Sequence, residues 1–229
     1  MVTANVLQRT FQIKVNDAMG TCFALDMEGR QYLITARHLV RSLAQNAQVS
    51  IYHEKKWKTL SVNVVGHGQN LIDVSVLSPS SQLVSKDLPL PATWKKIVWG
   101  QDVYFLGFPY GLHSDVGVLN RDFPLPLIKK GTLSAIIAGD SGDDIFLIDG
   151  HVNPGFSGGP VVFSEIGGPS DKLIVAGVVS AHRMEPSPVI LDGKETGLKV
   201  YEDTGIMISY HIRFALGLIS ANPIGLPIS

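Results

Sequence analysis

The segment Pro154-Gly155-Phe156-Ser157-Gly158-Gly159-Pro160 sets a serine among glycines and runs directly into Val161-Val162-Phe163. Glycines there permit positive φ, clear side-chain bulk from the path of a substrate, and leave backbone N–H groups free to face a developing oxyanion. A serine hydroxyl needs a base to become a nucleophile. Gln31-Tyr-Leu-Ile-Thr-Ala-Arg-His38 reads as a strand that ends in a histidine, which would hold the ring rigidly. Asn70-Leu-Ile-Asp73-Val-Ser-Val-Leu77 opens an apolar strand with an acid, and an acid in that setting requires a partner. Nucleophile, base and orienting acid, each at a strand edge, are the parts of acyl transfer through a covalent intermediate.

The elements that must position these residues are short. Gly 23 and Pro 13 punctuate runs rich in Val, Ile, Leu, Phe and Tyr along the whole chain, which is an all-β rhythm. Strands are expected at Phe11–Val15, Cys22–Asp26, Tyr32–Thr35, Val49–His53, Thr59–Val65, Ile72–Leu77, Asp102–Leu106, Gly131–Ala138, Ile145–Ile148, Pro160–Phe163, Leu173–Ser180 and Gly205–Ser209. Helical period occurs in a short stretch after His38 and in the tail from His211, where Ile212, Phe214, Leu216 and Ile219 recur. Two helices cannot supply βαβ crossovers, so barrels or sandwiches are expected. The proline-bearing stretch Ser85–Trp94 divides the strands six and six. The expected units are therefore 1–88, a linker at 89–98, 99–209, and a C-terminal helix and tail at 210–229. Gly111–Phe123 and Arg183–Asp203 read as long loops, where specificity usually resides.

Composition narrows the function classes. The 229 residues carry 19 Lys+Arg against 20 Asp+Glu, a balance that offers no broad cationic surface to nucleic acid or an anionic membrane. No apolar run approaches the ~20 residues that span a bilayer, and the N-terminus lacks the form of a signal peptide. The single cysteine, Cys22, excludes an internal disulfide and fits a reducing, cytoplasmic compartment, with secretion by another route left open. Its apolar surroundings, Thr21-Cys-Phe-Ala-Leu25, point to core packing. Neither H-E-x-x-H nor a Cys/His cluster occurs, so no metal and no cofactor are expected.

Gly155-x-Ser157-x-Gly159 also satisfies the nucleophile elbow of α/β hydrolases, but that elbow requires a helix after it, and here Pro160 and β-branched residues follow. The chain order His38, Asp73, Ser157 is that of the chymotrypsin-type arrangement, not of hydrolases or subtilisins. Thr35-Ala36-Arg37-His38 resembles the T-A-x-H of trypsin-like peptidases, Asp73-Val-Ser-Val-Leu their D-[IL]-A-[VL]-L, and Gly155-Phe-Ser157-Gly-Gly-Pro their G-D-S-G-G-P. Gly107-Phe-Pro-Tyr-Gly111, Gly131-Thr-Leu-Ser-Ala-Ile and Gly205-Ile-Met-Ile-Ser resemble segments of the HtrA/Deg branch, so the likeness runs from about Gly20 to about Ile219. It implies two six-stranded antiparallel β-barrels with a site between them. Two departures stand out. Phe156 replaces the Asp of trypsin-like zymogens and the Asn common in the HtrA branch. About ten residues follow the terminal helix, far below the ~50 of a small domain, so a PDZ module is not expected.

The resemblance implies a serine endopeptidase with Ser157 as nucleophile, His38 as base and Asp73 as its orienting acid, and with Gly155 and Ser157 N–H groups as the oxyanion hole. It also implies that an extended peptide or unfolded protein lies beside Ser180, Ala181 and His182. The specificity pocket then has its base near His151, with His182 on its wall. Two imidazoles there suit an acidic or polar side chain, and a narrow pocket for small apolar residues suits the sequence equally. Two other readings stay open: an inactive or resting protease fold that binds peptides without cutting them, and an esterase or amidase using the same triad. Oligomerisation is left open.

Overall fold

A computed structural model describes residues 2–138, 144–169 and 171–228. Met1 and Ser229, the outer ends of the first and last expected units, lie outside the described residues. The chain opens with a short helix, α1 (Ala4–Gln8), then builds β1 (Thr10–Val15), β2 (Ala18–Met27), β3 (Arg30–Thr35), the one-turn α2 (Arg37–Val40), β4 (Asn46–His53), β5 (Lys56–His67) and β6 (Ser75–Pro79). These six strands run in the order β3-β2-β1-β4-β5-β6, and β6 returns to β3 through Leu33↔Leu77 and Ile34↔Val76, closing an antiparallel ring.

The second ring uses β7 (Asp102–Gly107), β8 (Leu127–Ile137), β9 (Ile145–Asp149), β10 (Pro160–Ser164), β11 (Leu173–Leu191) and β12 (Lys194–His211). They close as β10-β11-β12-β9-β8-β7. Helix α3 (Arg213–Ala221) follows, and the chain then crosses back so that β13 (Leu226–Pro227) pairs Leu226 with Gln31 on the first ring. The segment between the rings is tied to the second: Val175 N–H donates to Pro91 O at 2.8 Å and Thr93 N–H to Val175 O at 2.9 Å.

Each ring has its own interior, and a third core lies between them. Strand alternation does the sorting. In β2, Cys22 and Ala24 face the first ring's interior with Phe11, Ile13 and Val49, while Phe23 and Leu25 face the shared core. That shared core takes Val6, Ile34 and Val76 from one side and Leu106, Val162, Val178 and Ile219 from the other. Strands buried on both faces read as continuous apolar runs, which is why Cys22–Leu25 and Tyr32–Ile34 show no polar alternation. Burial pushes the Cys22 thiol far up, so it stays protonated in the core.

All twelve expected strands overlap observed ones, but two local expectations need correction. Arg183–Asp203 is not a loop: β11 and β12 continue through it as a long hairpin. Its turn is Asp192-Gly193, with φ of 48° and 75°, the pair of positive values a two-residue primed turn demands. Pro186 and Pro188 disguise the strand in sequence. Asp73 precedes its strand, which begins at Ser75. Trp99 is 64% exposed, whereas Trp94 packs against the cores. Among the described residues no helix is long and apolar enough to cross a membrane.

Candidate active site

His38 sits in the single turn of α2, directly after β3. The turn is anchored by burial of Ala36 and by Thr35, whose hydroxyl donates to Thr21 O at 2.7 Å. Asp73 comes from the loop before β6 and grips the histidine twice. His38 N–H donates to Oδ1 at 2.7 Å, and Nδ1 lies 2.7 Å from Oδ2. Ser180 of β11 donates its hydroxyl to the same Oδ2 at 2.6 Å. Burial works to raise the Asp73 carboxyl, but the hydrogen bonds from His38 and Ser180 outweigh it and hold it below its ordinary value.

Ser157 belongs to the second ring, so the two rings must touch to bring it near His38. They do so at Gly158, where φ is +85° and a Cβ would lie 2.1 Å from Thr21 O and 2.3 Å from Thr35 Oγ1. No side chain fits that approach. Ser157 Oγ donates to Ser180 O at 3.1 Å, and among the described residues no hydrogen bond joins it to His38. A cleft of about 440 Å³ is lined by His38, Asp73, Ser157, Ser180, Ala181 and His182 together with Val152, Asn153 and Pro154.

The backbone ahead of Ser157 is fixed from several directions. Tyr110 N–H donates to Pro154 O at 2.9 Å, and Thr21 Oγ1 donates to Gly155 O at 2.7 Å. In a trans peptide the N–H opposes the C=O, so tying Pro154 O to Tyr110 turns the Gly155 N–H the other way. Among the described residues the N–H groups of Gly155 and Ser157 make no backbone hydrogen bond. Gly155 has φ of +107°, and a Cβ there would lie 2.3 Å from Phe108 O. Phe156 between them is fully buried, edge-on to Phe105 at 5.4 Å, with Lys129 Nζ 5.3 Å from its ring centroid. Phe156 thus sets an apolar anchor in the second ring's core.

His151 adjoins the cleft through Asn153, which lines it. Its side chain is 58% exposed, with Nδ1 3.1 Å from Asp203 Oδ2 and Nε2 3.2 Å from Asn153 Nδ2. Lys129 Nζ donates to His151 O at 2.8 Å and to Asn153 Oδ1 at 2.7 Å, bracing the loop from behind. Burial, the larger influence, lowers the Lys129 ammonium below its ordinary value, and Asp203 offsets part of that. His182 is half-buried on the cleft wall beside Ala181 and Met184. No three His, Cys, Asp or Glu side chains gather as a metal site among the described residues.

Thr21 escaped the sequence reading. This buried residue of β2 donates its N–H to Ser157 O at 2.9 Å and its hydroxyl to Gly155 O, and accepts from Phe108 N–H at 3.2 Å. One first-ring residue thus holds the carbonyls on both sides of Phe156. Nothing in Gly20-Thr21-Cys22 signals this, because the partners lie 134 residues away.

Residues 20–167 match the trypsin-like peptidase domain. The chain belongs to that family. Over 157 residues, 66% of its length, this trypsin-like peptidase is 28% identical to Protease Do-like 1, chloroplastic, of Arabidopsis thaliana, and the match spans 32% of that relative. In fold it is similar to the Rv3671c protease of M. tuberculosis in its active form, with a TM-score of 0.63 at 19% identity, covering 99% of this chain and 86% of that one. The HtrA-type protease AlgW with tripeptide gives a TM-score of 0.58 at 18% identity, covering 95% of this chain and 61% of that one. These neighbours share the peptidase's fold.

Proposed function

We propose that the chain is a serine endopeptidase that cleaves extended peptides or unfolded protein through an acyl-enzyme. The observation that carries this reading is Asp73 Oδ2 accepting from Ser180 Oγ with His38 Nδ1 on the same oxygen, while Ser157 lies along the same cleft. With Nδ1–H directed at the carboxylate, the Nε2 lone pair is left for the serine proton. Ser157 Oγ then attacks the scissile carbonyl, His38 takes its proton and delivers it to the leaving amine, and Asp73 stabilises the imidazolium. The Gly155 and Ser157 N–H groups receive the oxyanion.

The resting hydroxyl donates to Ser180 O rather than to His38. A substrate N–H arriving at that carbonyl competes for it and releases the hydroxyl toward the imidazole. Apo sites often tighten their hydrogen bonds in this way when substrate arrives. The same observation favours a second reading, a peptide-binding module at rest. The buried single cysteine supports work in a reducing, cytoplasmic setting.

A fluorophosphonate probe decides between them. Labelling at Ser157 between about pH 6 and 9, abolished by Ser157→Ala and strongly slowed by His38→Ala, is the expected result. Absence of labelling throughout that range favours the binding module.

A further inference from the structure

Helix α2 carries two arginines as well as His38. Leu39 and Val40 are buried under its single turn, which fixes the turn on the first ring. Arg41 follows with φ of −60° and ψ of −20°, still helical, so it lies one turn beyond Arg37 and on the same face. Arg37 is half-buried and Arg41 is exposed. Among the described residues neither guanidinium has a carboxylate within ion-pair distance, whereas Arg9, Arg183 and Arg213 each have one.

The two arginines line a depression of about 270 Å³ with Asn70 and Leu71, and His38 and Asp73 line both this depression and the cleft. The wall opposite α2 is held in place. Arg37 Nη1 donates to Asn70 O at 2.9 Å, and the Tyr210 hydroxyl of β12 donates to Leu71 O. Asp73 is the one acid on the lining, and its two oxygens already take hydrogen bonds from His38 and Ser180. The positive charge is therefore not neutralised from within the depression. Its reach is visible at His67, whose pKa is lowered first by burial and further by Arg37.

We propose that this depression is a subsite for an acidic side chain of the substrate, with Arg41 as the residue that selects it. Its volume of about 270 Å³ falls short of the ~300–1,000 Å³ that holds a drug-sized ligand and suits a single side chain. Because the depression shares His38 and Asp73 with the cleft, a chain placed for cutting passes beside it. A guanidinium presents several donors in one plane, which fits a carboxylate better than an amide or a hydroxyl. Arg37 is committed to Asn70 and positions the wall, so Arg41 is left to meet the carboxylate. The substrate class that follows is an extended peptide carrying Asp or Glu within a few residues of the scissile bond. The inference rests on the peptidase reading for the identity of the chain in the cleft.

The test is a peptide series in which Gln is replaced by Glu at one position at a time on either side of the cut, with the residue immediately before the cut held constant. Expected is one position at which Glu exceeds Gln in kcat/KM by about tenfold at low ionic strength, the effect of one charge-assisted pair, with the ratio shrinking as salt is raised. Arg41→Ala should bring that ratio close to unity, Arg41→Lys should retain part of it, and Arg41→Glu should invert it. Each ratio compares two peptides on one protein, so a general loss of activity cancels. No position with a preference for Glu, or a preference unmoved by Arg41→Ala, overturns the proposal. The same series bound to the Ser157→Ala chain, read as Kd, must select Glu at the same position. If that selection appears in binding while no peptide is cut, the peptidase reading has failed and the acidic subsite stands.

Discussion

Ser180 contacts both ends of the candidate triad, its hydroxyl donating to Asp73 Oδ2 at 2.6 Å while its carbonyl accepts Ser157 Oγ at 3.1 Å. Removing the hydroxyl leaves the carboxylate with one fewer donor. Burial already works to raise Asp73, so its pKa in Ser180→Ala moves up toward or past the ordinary range. An acid needed in its ionised form then fails at a higher pH. The acid limb of the kcat/KM profile should shift upward, with a loss of about tenfold at neutral pH. An acid limb unmoved in Ser180→Ala would show that the hydrogen bond does not act on the carboxylate.

Phe156 should carry much of the site's rigidity. Its ring is fully buried against Phe105, and truncation to alanine should cost about 3–5 kcal/mol in denaturant unfolding. Phe156→Leu retains an apolar anchor and should recover most of both stability and turnover. If Phe156→Asn, the residue of the resembled branch, proves equally stable and active, the apolar anchor is dispensable.

Gly155→Ala separates positioning of the oxyanion donor from binding. With φ at +107° and Phe108 O 2.3 Å from the new Cβ, the peptide must rotate. Loss of one donor typically costs ~10²–10³ in kcat with little change in KM. Steady-state kinetics on one peptide substrate suffice, and an unaltered kcat removes the Gly155 N–H from the oxyanion hole.

His211 gives stability a pH dependence of its own. It is buried against Phe146, neither ring nitrogen has a hydrogen-bond partner among the described residues, and burial, partly offset by Asp144, lowers its pKa to about 4. The unfolded chain titrates near ~6.5, so it binds more protons than the folded one between those values. Stability is therefore full above about pH 6.5 and declines toward pH 4, by up to ~3 kcal/mol from this residue. His211→Phe should flatten that part of the curve in chemical denaturation. A slope identical in the two proteins would mean the ring is protonated in the fold.

The gathering of His38, Asp73 and Ser157 on one cleft was legible because the chemistry restricts residue type and each lies in a short connection beside a strand, His38 after β3, Asp73 before β6 and Ser157 before β10. The strands were legible where both faces are buried, since an unbroken run such as Tyr32–Ile34 has no competing helical period. Thr21 was not, because its role is a set of long-range hydrogen bonds that leave no local pattern. The 183–203 hairpin was hidden by Pro186 and Pro188, which count against a strand unless its free edge is known, although Asp192-Gly193 was a usable turn signal. His151, six residues before the serine, pairs with Asp203 of the hairpin and with Asn153 of the cleft lining, contacts that no local pattern announces.

The return of β13 to the first ring bears on how the molecule comes apart. The chain starts in one ring, completes the other, and ends with Leu226 laddered to Gln31, while α1 and α3 supply Val6 and Ile219 to the core between the rings. Neither ring can melt without exposing that core and undoing the clasp. Cooperativity should therefore extend over both rings, with tryptophan fluorescence and far-UV circular dichroism reporting one coincident transition. The parting of His38 from Ser157 would then be an act of global unfolding, with no intermediate in which one half of the site outlives the other.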